Sequence, residues 1–215
     1  MDAGLLPVKR LDHAKQRLAP HFDAADRRSI ADALLEDALA LCATTSQLTW
    51  WVVSDDDEVL QRAGARGLAV VRDEGLGLNA ALECAITIVE TAGASSVSVI
   101  PSDVPLAWQG DIQDLLDTGA TSDIVVVPSS RDGGTNALFL SPVRLIEPRF
   151  GPGSLQAHLA EGERSGARTT ILALDRLALD IDTLEDVDAL LQRPDPAGRR
   201  SVALLRSLRG AAAGS

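Results

Sequence analysis

The sequence predicts a Rossmann-like α/β fold, a mostly parallel central sheet with helices on both faces and at least one strand running against the others. Three observations carry this expectation. Short apolar, β-branched runs alternate with longer stretches of helical periodicity along most of the chain. Several of those runs, such as Trp50-Trp51-Val52-Val53 and Ile124-Val125-Val126-Val127, are apolar at every position, as in strands covered on both faces. One pair of runs, Ile124–Val127 and Asn136–Leu140, is joined by a loop around Arg131–Thr135 that is too short for a helical crossover. That pair is expected to be antiparallel or linked by an irregular excursion.

Leu5–Val8 opens the chain as a short strand, and a basic segment follows it. A helix over about 23–43 places Ile30, Leu34, Leu35, Ala38, Leu41 and Cys42 in one apolar stripe. Leu48–Val53 reads as a buried strand, with Ser54–Asp57 starting the next helix. Leu68–Val71 is a strand, 78–91 a helix after a glycine-interrupted loop, and Val97–Ile100 a strand. Ile112–Leu116 lies in a helix, and the pair of runs around the short loop comes next. A helix over 152–165, a strand over 169–174 and a helix over 183–191 complete the pattern, which Arg193-Pro194-Asp195-Pro196 then breaks.

With 215 residues, 46% of them hydrophobic, the chain can bury one full core. One domain over 1–192 is expected, with a peripheral tail of helical character over 193–215. A formal charge of −11 argues against nucleic acid or an anionic membrane as partner, since both demand a basic footprint. No apolar stretch approaches the roughly 20 residues of a membrane span. The two cysteines, Cys42 and Cys84, fall in Ala- and Leu-rich helical patterns without metal-ligand spacing, and no signal peptide accompanies them. Buried free thiols in a cytoplasmic protein are expected. Neither Gly-x-Gly-x-x-Gly nor a Walker A loop follows the first strand, which sets aside dinucleotide oxidoreductases and P-loop enzymes.

The candidate chemistry lies in aspartates where apolar runs stop, because the carboxyl ends of strands form the ligand crevice of an open α/β sheet. Ser54-Asp55-Asp56-Asp57 has Ser-x-x-Asp spacing before a helix, so a capping box accounts for it without a metal. Thr183-Leu184-Glu185-Asp186 is a second capping box, which leaves Asp180 and Asp182 unexplained. One residue apart on a strand end, those two carboxylates share a face; a solvated edge is the competing reading. Asp103 sits in Pro101-Ser102-Asp103-Val104-Pro105, where prolines on both sides restrict a turn and present one carboxylate at its tip. Turn chemistry alone also accounts for an aspartate there.

Lys9, Arg10, Lys15 and Arg17 concentrate positive charge right after the first strand of an otherwise acidic chain. A cationic loop there suits a triphosphate, against the alternative of a solvated surface. Gly75 and Gly77 allow a ligand close to the backbone before a helix N-terminus. Gly133-Gly134-Thr135-Asn136 and Phe150-Gly151-Pro152-Gly153-Ser154 supply amides and hydroxyls suited to an anion, or else a hairpin turn and a helix cap. His13, His21 and His158 lack zinc spacing and are expected in surface or packing roles.

Six segments in order carry a family resemblance. They are Pro7-Val8-Lys9 through Ala14-Lys15-Gln16-Arg17-Leu18-Ala19, Gly77-Leu78-Asn79-Ala80-Ala81-Leu82, Pro101-Ser102-Asp103-Val104-Pro105-Leu106, Asp132-Gly133-Gly134-Thr135-Asn136-Ala137-Leu138, Phe150-Gly151-Pro152-Gly153-Ser154 and Asp180-Ile181-Asp182-Thr183. Together, over about residues 5–192, they resemble the CofC or FbiD family, the phosphoenolpyruvate or 2-phospho-L-lactate guanylyltransferases of coenzyme F420 biosynthesis. The resemblance implies a nucleotidyltransferase version of the Rossmann-like fold and transfer of GMP from GTP to a phosphorylated three-carbon acid, with pyrophosphate released. It implies Mg2+ on Asp103, Asp180 and Asp182, and the acceptor on Thr135, Gly151 and Ser154. Lys9, Lys15 and Arg17 match the triphosphate loop, with Asp103, Lys9 and Lys15 carrying catalysis, and Gly77 and Asn79 match the nucleotide-binding loop on the base side. The partners implied are GTP, phosphoenolpyruvate or 2-phospho-L-lactate, and a transferase that passes the product to a deazaflavin acceptor. A nucleotidyltransferase using another nucleotide or acceptor, such as 3-phosphoglycerate, and a non-catalytic nucleotide-binding regulator are the alternatives.

Overall fold

A computed structural model describes residues 1–131, 133–194 and 198–213. Asp132, the segment 195–197 and the side chain of His13 lie outside the described residues, so part of the Arg193–Pro196 break and the expected role of His13 do too. The seven strands are β1 (Asp2–Pro7), β2 (Thr49–Ser54), β3 (Ala69–Arg72), β4 (Ser96–Val99), β5 (Ile124–Pro128), β6 (Thr135–Leu140) and β7 (Thr169–Ile171). The helices are α1 (Ala24–Thr44), α2 (Asp57–Gly64), α3 (Leu78–Thr91), α4 (Gln109–Gly119), α5 (Ser154–Ser165), α6 (Leu184–Leu191) and α7 (Arg200–Ala213).

The strands form one sheet in the order β3-β2-β1-β4-β6-β5-β7. All neighbours are parallel except β6, which runs antiparallel to both β4 and β5, in agreement with the short loop before it. The chain builds outward from β1 through β2 to β3, then crosses back to lay β4 on the other side of β1. This reversal opens a crevice at the carboxyl ends of β1 and β4, where ligands bind in such sheets.

Successive residues of the central strands feed opposite layers. Trp50 and Val52 pack with Leu35, Ile112 and Leu115 under α1 and α4, while Trp51 and Val53 pack with Leu82 and Ile86 of α3. Gly4 of β1 makes room for this, because a Cβ there would fall 2.6 Å from the Trp50 ring. A third cluster joins Leu18, Ile30 and Leu34 to Leu106, Ile181, Val187, Val202 and Leu205, so α6, α7 and the segment before α6 pack on the far side of α1.

Four expectations change in detail. Helix α2 is capped by Asp56, whose side chain accepts the Glu58 N–H at 3.0 Å; Ser54 ends β2, and its hydroxyl accepts the Asp56 N–H at 3.1 Å. Asp57 is inside the helix and pairs with Arg72 rather than closing a box. Strand β7 stops at Ile171, one backbone bond before the Leu172 N–H reaches the Val126 carbonyl at 2.9 Å, so the expected strand to 174 is shorter. The segment 179–182 is not a strand, although its alternation survives: Ile181 is buried and donates its N–H to the Asp103 carbonyl at 3.0 Å, with Asp180 and Asp182 on the opposite side. Cys84 is exposed on the solvent side of α3, whereas Cys42 is buried, its thiol pushed up to about 12 by that burial. The Thr183–Asp186 capping box forms as expected, with the Thr183 N–H donating to Asp186 at 2.7 Å.

Helix α7 is tied to α1 by one buried carboxylate. Asp37 accepts the N–H groups of Arg200 and Ser201 at 2.9 and 3.0 Å and the Ser201 hydroxyl at 2.6 Å, satisfying donors that a helix start leaves open. Asp37→Ala should therefore cost about 2 kcal/mol. A lower urea midpoint with early hydrogen exchange in α7 is the expected result, and an unchanged midpoint would show that apolar packing alone holds α7.

Candidate active site

A cleft of about 710 Å³ opens at the carboxyl ends of β1 and β4, within the size range of small-molecule sites. The segment after β1 forms its floor. It is fastened at its start by the Val8 N–H to the Val53 carbonyl at 2.8 Å and by the Leu11 N–H to the Asp56 carboxylate at 3.1 Å. Two short 3-10 turns, Leu11–His13 and Gln16–Leu18, follow, with Lys15 between them. Lys15 is the one non-glycine residue at positive φ among the described residues, at φ 56° and ψ 37°. A side chain in that region costs of order 1 kcal/mol and persists only where the surroundings impose it.

Here the surroundings are carboxylates. The Lys15 ammonium lies 2.9 Å from Asp103 and 3.4 Å from Asp182, with its side chain only 8% exposed. Arg17, largely in solvent, reaches Asp182 at 3.4 Å. The three predicted aspartates do converge: one carboxylate oxygen from each of Asp103, Asp180 and Asp182 lies within 4.8 Å of the others. An all-oxygen, trianionic set of this size suits a hard divalent cation, and a cation, the Lys15 ammonium, already rests against two of its members.

The electrostatics follow from these neighbours. Burial pushes the Asp103 carboxyl up, but the charge of Lys15 and its hydrogen bond, with help from Lys9, bring it below the ordinary carboxylate value. Burial pulls Lys15 down, and Asp103 and Asp182 more than reverse that. Asp180 goes the other way: burial and the charge of Asp103 hold it above its ordinary value, against the bond from Asn136. On acidification Asp180 thus takes a proton before Asp103 does.

Several residues that hold this cluster carry no assignment from sequence. Arg131 lies 3.2 Å from Asp186, 3.6 Å from Asp182 and 3.8 Å from Asp180. The Asn136 amide donates to Asp180 at 3.1 Å and to the Leu177 carbonyl at 3.0 Å, and the Ser129 hydroxyl reaches Asp180 at 3.4 Å. The signals were an arginine in the loop after β5 and an asparagine opening a buried strand, a position where asparagine is unfavourable unless it has partners.

The other predicted residues fall on the two walls. Lys9 lines the cleft and is exposed; Gly77, at φ +98°, lines the side below α3. Asn79 does not turn its amide to the cleft. Its Nδ2 donates to the Phe150 carbonyl at 3.2 Å and its Oδ1 accepts the Phe150 N–H at 2.8 Å, so it braces one wall against the other. On the second wall Thr135 and Gly151 line the cleft, with Gly151 and Gly153 at φ +129° and +73° making the turn into α5. The Leu155 N–H donates to the Gly133 carbonyl at 3.1 Å and joins the two halves of this wall. Ser154, 2% exposed at the start of α5, does not itself line the cleft; its hydroxyl is buried and has no hydrogen-bond partner among the described residues. His21 is exposed as expected, but His158 is fully buried and hydrogen-bonded to Thr135, a polar role beyond packing.

The model of the family "Guanylyl transferase CofC like" matches residues 3–212. The chain is 36% identical over 191 residues to a phosphoenolpyruvate guanylyltransferase of Roseiflexus castenholzii, covering 88% of each chain. It is 33% identical over 206 residues to a 2-phospho-L-lactate guanylyltransferase of Methanothermobacter thermautotrophicus, covering 95% of this chain and 90% of that one. Among solved structures, one from Desulfovibrio desulfuricans G20 described as a nucleotide-diphospho-sugar transferase superposes with a TM-score of 0.81 at 17% identity, over 97% of this chain and 95% of that one. No helix among the described residues is long and apolar enough to cross a membrane.

In Lys15→Gln the ammonium is gone, and only Lys9 and a backbone hydrogen bond still oppose the burial of Asp103. Asp103 should then titrate higher than in the parent protein, as read by carboxyl 13C NMR. An Asp103 that stays depressed would mean that another group, not Lys15, sets its charge.

Proposed function

The chain belongs to the CofC-like guanylyl transferase family, and from that premise we propose that it transfers GMP from GTP to phosphoenolpyruvate or 2-phospho-L-lactate, releasing pyrophosphate, in coenzyme F420 biosynthesis. The observation that carries this reading is the position of the carboxylate trio. It lies between a cationic loop, suited to a triphosphate, and a wall of Gly134, Thr135 and Gly151 at the entry to α5, suited to a second anion. A site for two polyanions bridged by acidic residues fits nucleotidyl transfer better than hydrolysis of one.

In this reading the acceptor's phosphate oxygen attacks the α-phosphorus of GTP, a new P–O–P bond forms, and the bond to the β-phosphate breaks with pyrophosphate as leaving group. The attacking group is already an anion, so no side chain needs to act as nucleophile or to remove a proton. The protein's work is orientation and charge. Lys9, Lys15 and Arg17 neutralise the triphosphate and then the departing pyrophosphate. Gly77 lets the nucleotide approach the backbone, and Asn79 keeps the nucleotide wall in register with the acceptor wall. Thr135, the Gly151 amide and Ser154 hold the acceptor.

Asp103, Asp180 and Asp182 would hold Mg2+. The ion, when bound, supplies charge screening between the two phosphates and a fixed orientation for the attacking and leaving oxygens. Lys15 has to leave Asp103 and Asp182 for that purpose, and the triphosphate offers it an equivalent anionic partner. The activated product is a mixed anhydride that a transferase carrying a deazaflavin acceptor then consumes.

Pyrophosphate release with Mg2+ should require both GTP and a three-carbon phosphoacid. Testing ATP, CTP, UTP and GTP against phosphoenolpyruvate, 2-phospho-L-lactate and 3-phosphoglycerate identifies the pair, and silence from every pair would sink the proposal. Asp103→Asn should lower kcat on the order of a hundredfold or more without unfolding the protein, as checked by circular dichroism. In the absence of nucleotide, Lys15→Gln should bind Mn2+ several-fold more tightly, by calorimetry, yet raise the KM for GTP. Unchanged Mn2+ affinity would show that the ammonium and the divalent ion do not share the carboxylates.

A further inference from the structure

The acceptor wall is held by an imidazole whose protonation pattern is dictated by its contacts. His158, on α5, is fully buried. Its Nε2 lies 2.9 Å from the backbone nitrogen of Arg149, and its Nδ1 lies 3.0 Å from the Thr135 hydroxyl. A backbone N–H can only donate, so Nε2 must offer a lone pair. The proton of a neutral ring is then on Nδ1, which donates to Thr135 Oγ1. Burial and the nearby Arg149 charge keep the ring neutral, pushing its pKa down to about 4.

The consequence falls on Thr135. Its oxygen is accepting from His158, so its single hydroxyl proton is free, and no described residue accepts it. Thr135 lines the cleft next to Gly134 and Asn136. With the opposite tautomer, Thr135 would spend its proton on His158 and present only lone pairs to an anion, which is repulsive. The same ring holds the Arg149 N–H, and the edge of Phe150 packs against it with centroids 5.6 Å apart at 71°. One side chain therefore fixes both β6 at Thr135 and the turn that ends in Gly151 and Ser154.

We propose that His158 is a positioning residue: by donating from Nδ1 to Thr135 it turns the Thr135 hydroxyl into an obligate hydrogen-bond donor toward the anionic group of the acceptor. This rests on the reading of the second wall as the acceptor side. It needs no contact between His158 and substrate, and it assigns a purpose to a buried polar group that the transfer step itself does not use.

Long-range 1H–15N NMR of the 15N-labelled protein at pH 7 reads the tautomer without any need for turnover. Protonated Nδ1 and bare Nε2 are expected; a protonated Nε2 overturns the proposal by itself. In kinetics, Thr135→Val should raise the acceptor KM about tenfold, the loss of one hydrogen bond to a charged group, with the KM for GTP unchanged. His158→Gln keeps an acceptor for the Arg149 N–H but loses the donor to Thr135, and should raise the acceptor KM to a similar extent. His158→Asn retains a donor at the Nδ1 position and should restore most of that loss. In the Thr135→Val background, His158→Gln should add less than a twofold change. Multiplicative effects of the two substitutions, or equal damage from Gln and Asn, would reduce His158 to packing and overturn the proposal. If Thr135→Val leaves the acceptor KM unchanged while NMR shows the expected tautomer, the acceptor-side reading itself has failed, and the proposal falls with it.

Discussion

Four carboxylates, Asp103, Asp180, Asp182 and Asp186, converge at the carboxyl ends of β1 and β4, and Lys15, Arg17 and Arg131 lie among them as counterions. Two like charges about 4 Å apart repel by about 4 kcal/mol at an effective dielectric near 20. A trio of bare aspartates would therefore cost a domain most of its usual stability. The Lys15 ammonium answers that constraint, and its left-handed backbone follows from it, because the chain must turn sharply between two 3-10 segments to carry the amine inward. Asp180 stays above its ordinary value because burial, and then the charges of Asp103 and Asp182, outweigh the bond from Asn136.

This charge balance depends on the order of the strands. Lys15 follows β1 and Asp103 follows β4, which are hydrogen-bonded neighbours only because the chain reverses its direction of growth after β3. Asp180 and Asp182 arrive from the other half of the sheet, after β7, and are delivered by the Ile181 N–H bound to the Asp103 carbonyl and by burial of Ile181 beneath α1 and α7. Helix α7 thus contributes to the site indirectly, as the apolar backing of the segment that presents two of its acids.

The second wall is organised by neutral polar contacts. Asn79 clamps Phe150, His158 holds Arg149 and Thr135, and the Gly133 carbonyl receives the Leu155 N–H. Each of these bonds is worth about 1 kcal/mol net. Their collective effect is geometric: they hold the Thr135 hydroxyl at a fixed place on a wall whose glycines give the backbone its bends. A preorganised wall of this kind lowers the entropy lost when a small anion binds.

Local sequence determined the elements and the chemical types at their ends. The apolar runs, the α1 stripe, the Thr183–Asp186 cap and the acids at 103, 180 and 182 are legible because their signals span only a few residues. Where local signals compete the structure departs from them: Asp56 rather than Ser54 caps α2, since Ser54 belongs to β2, and 179–182 keeps strand-like alternation without a neighbouring strand. The roles of Arg131, Asn136, Asn79 and His158 were not legible, because their partners lie on other elements. Only the tertiary structure decided which side of β1 the fourth strand joins, and so which charges meet. Lys15 finds Asp103 88 residues away and Asp182 167 residues away, and contacts at such separations come from the closure of the whole sheet, not from any local preference of the chain.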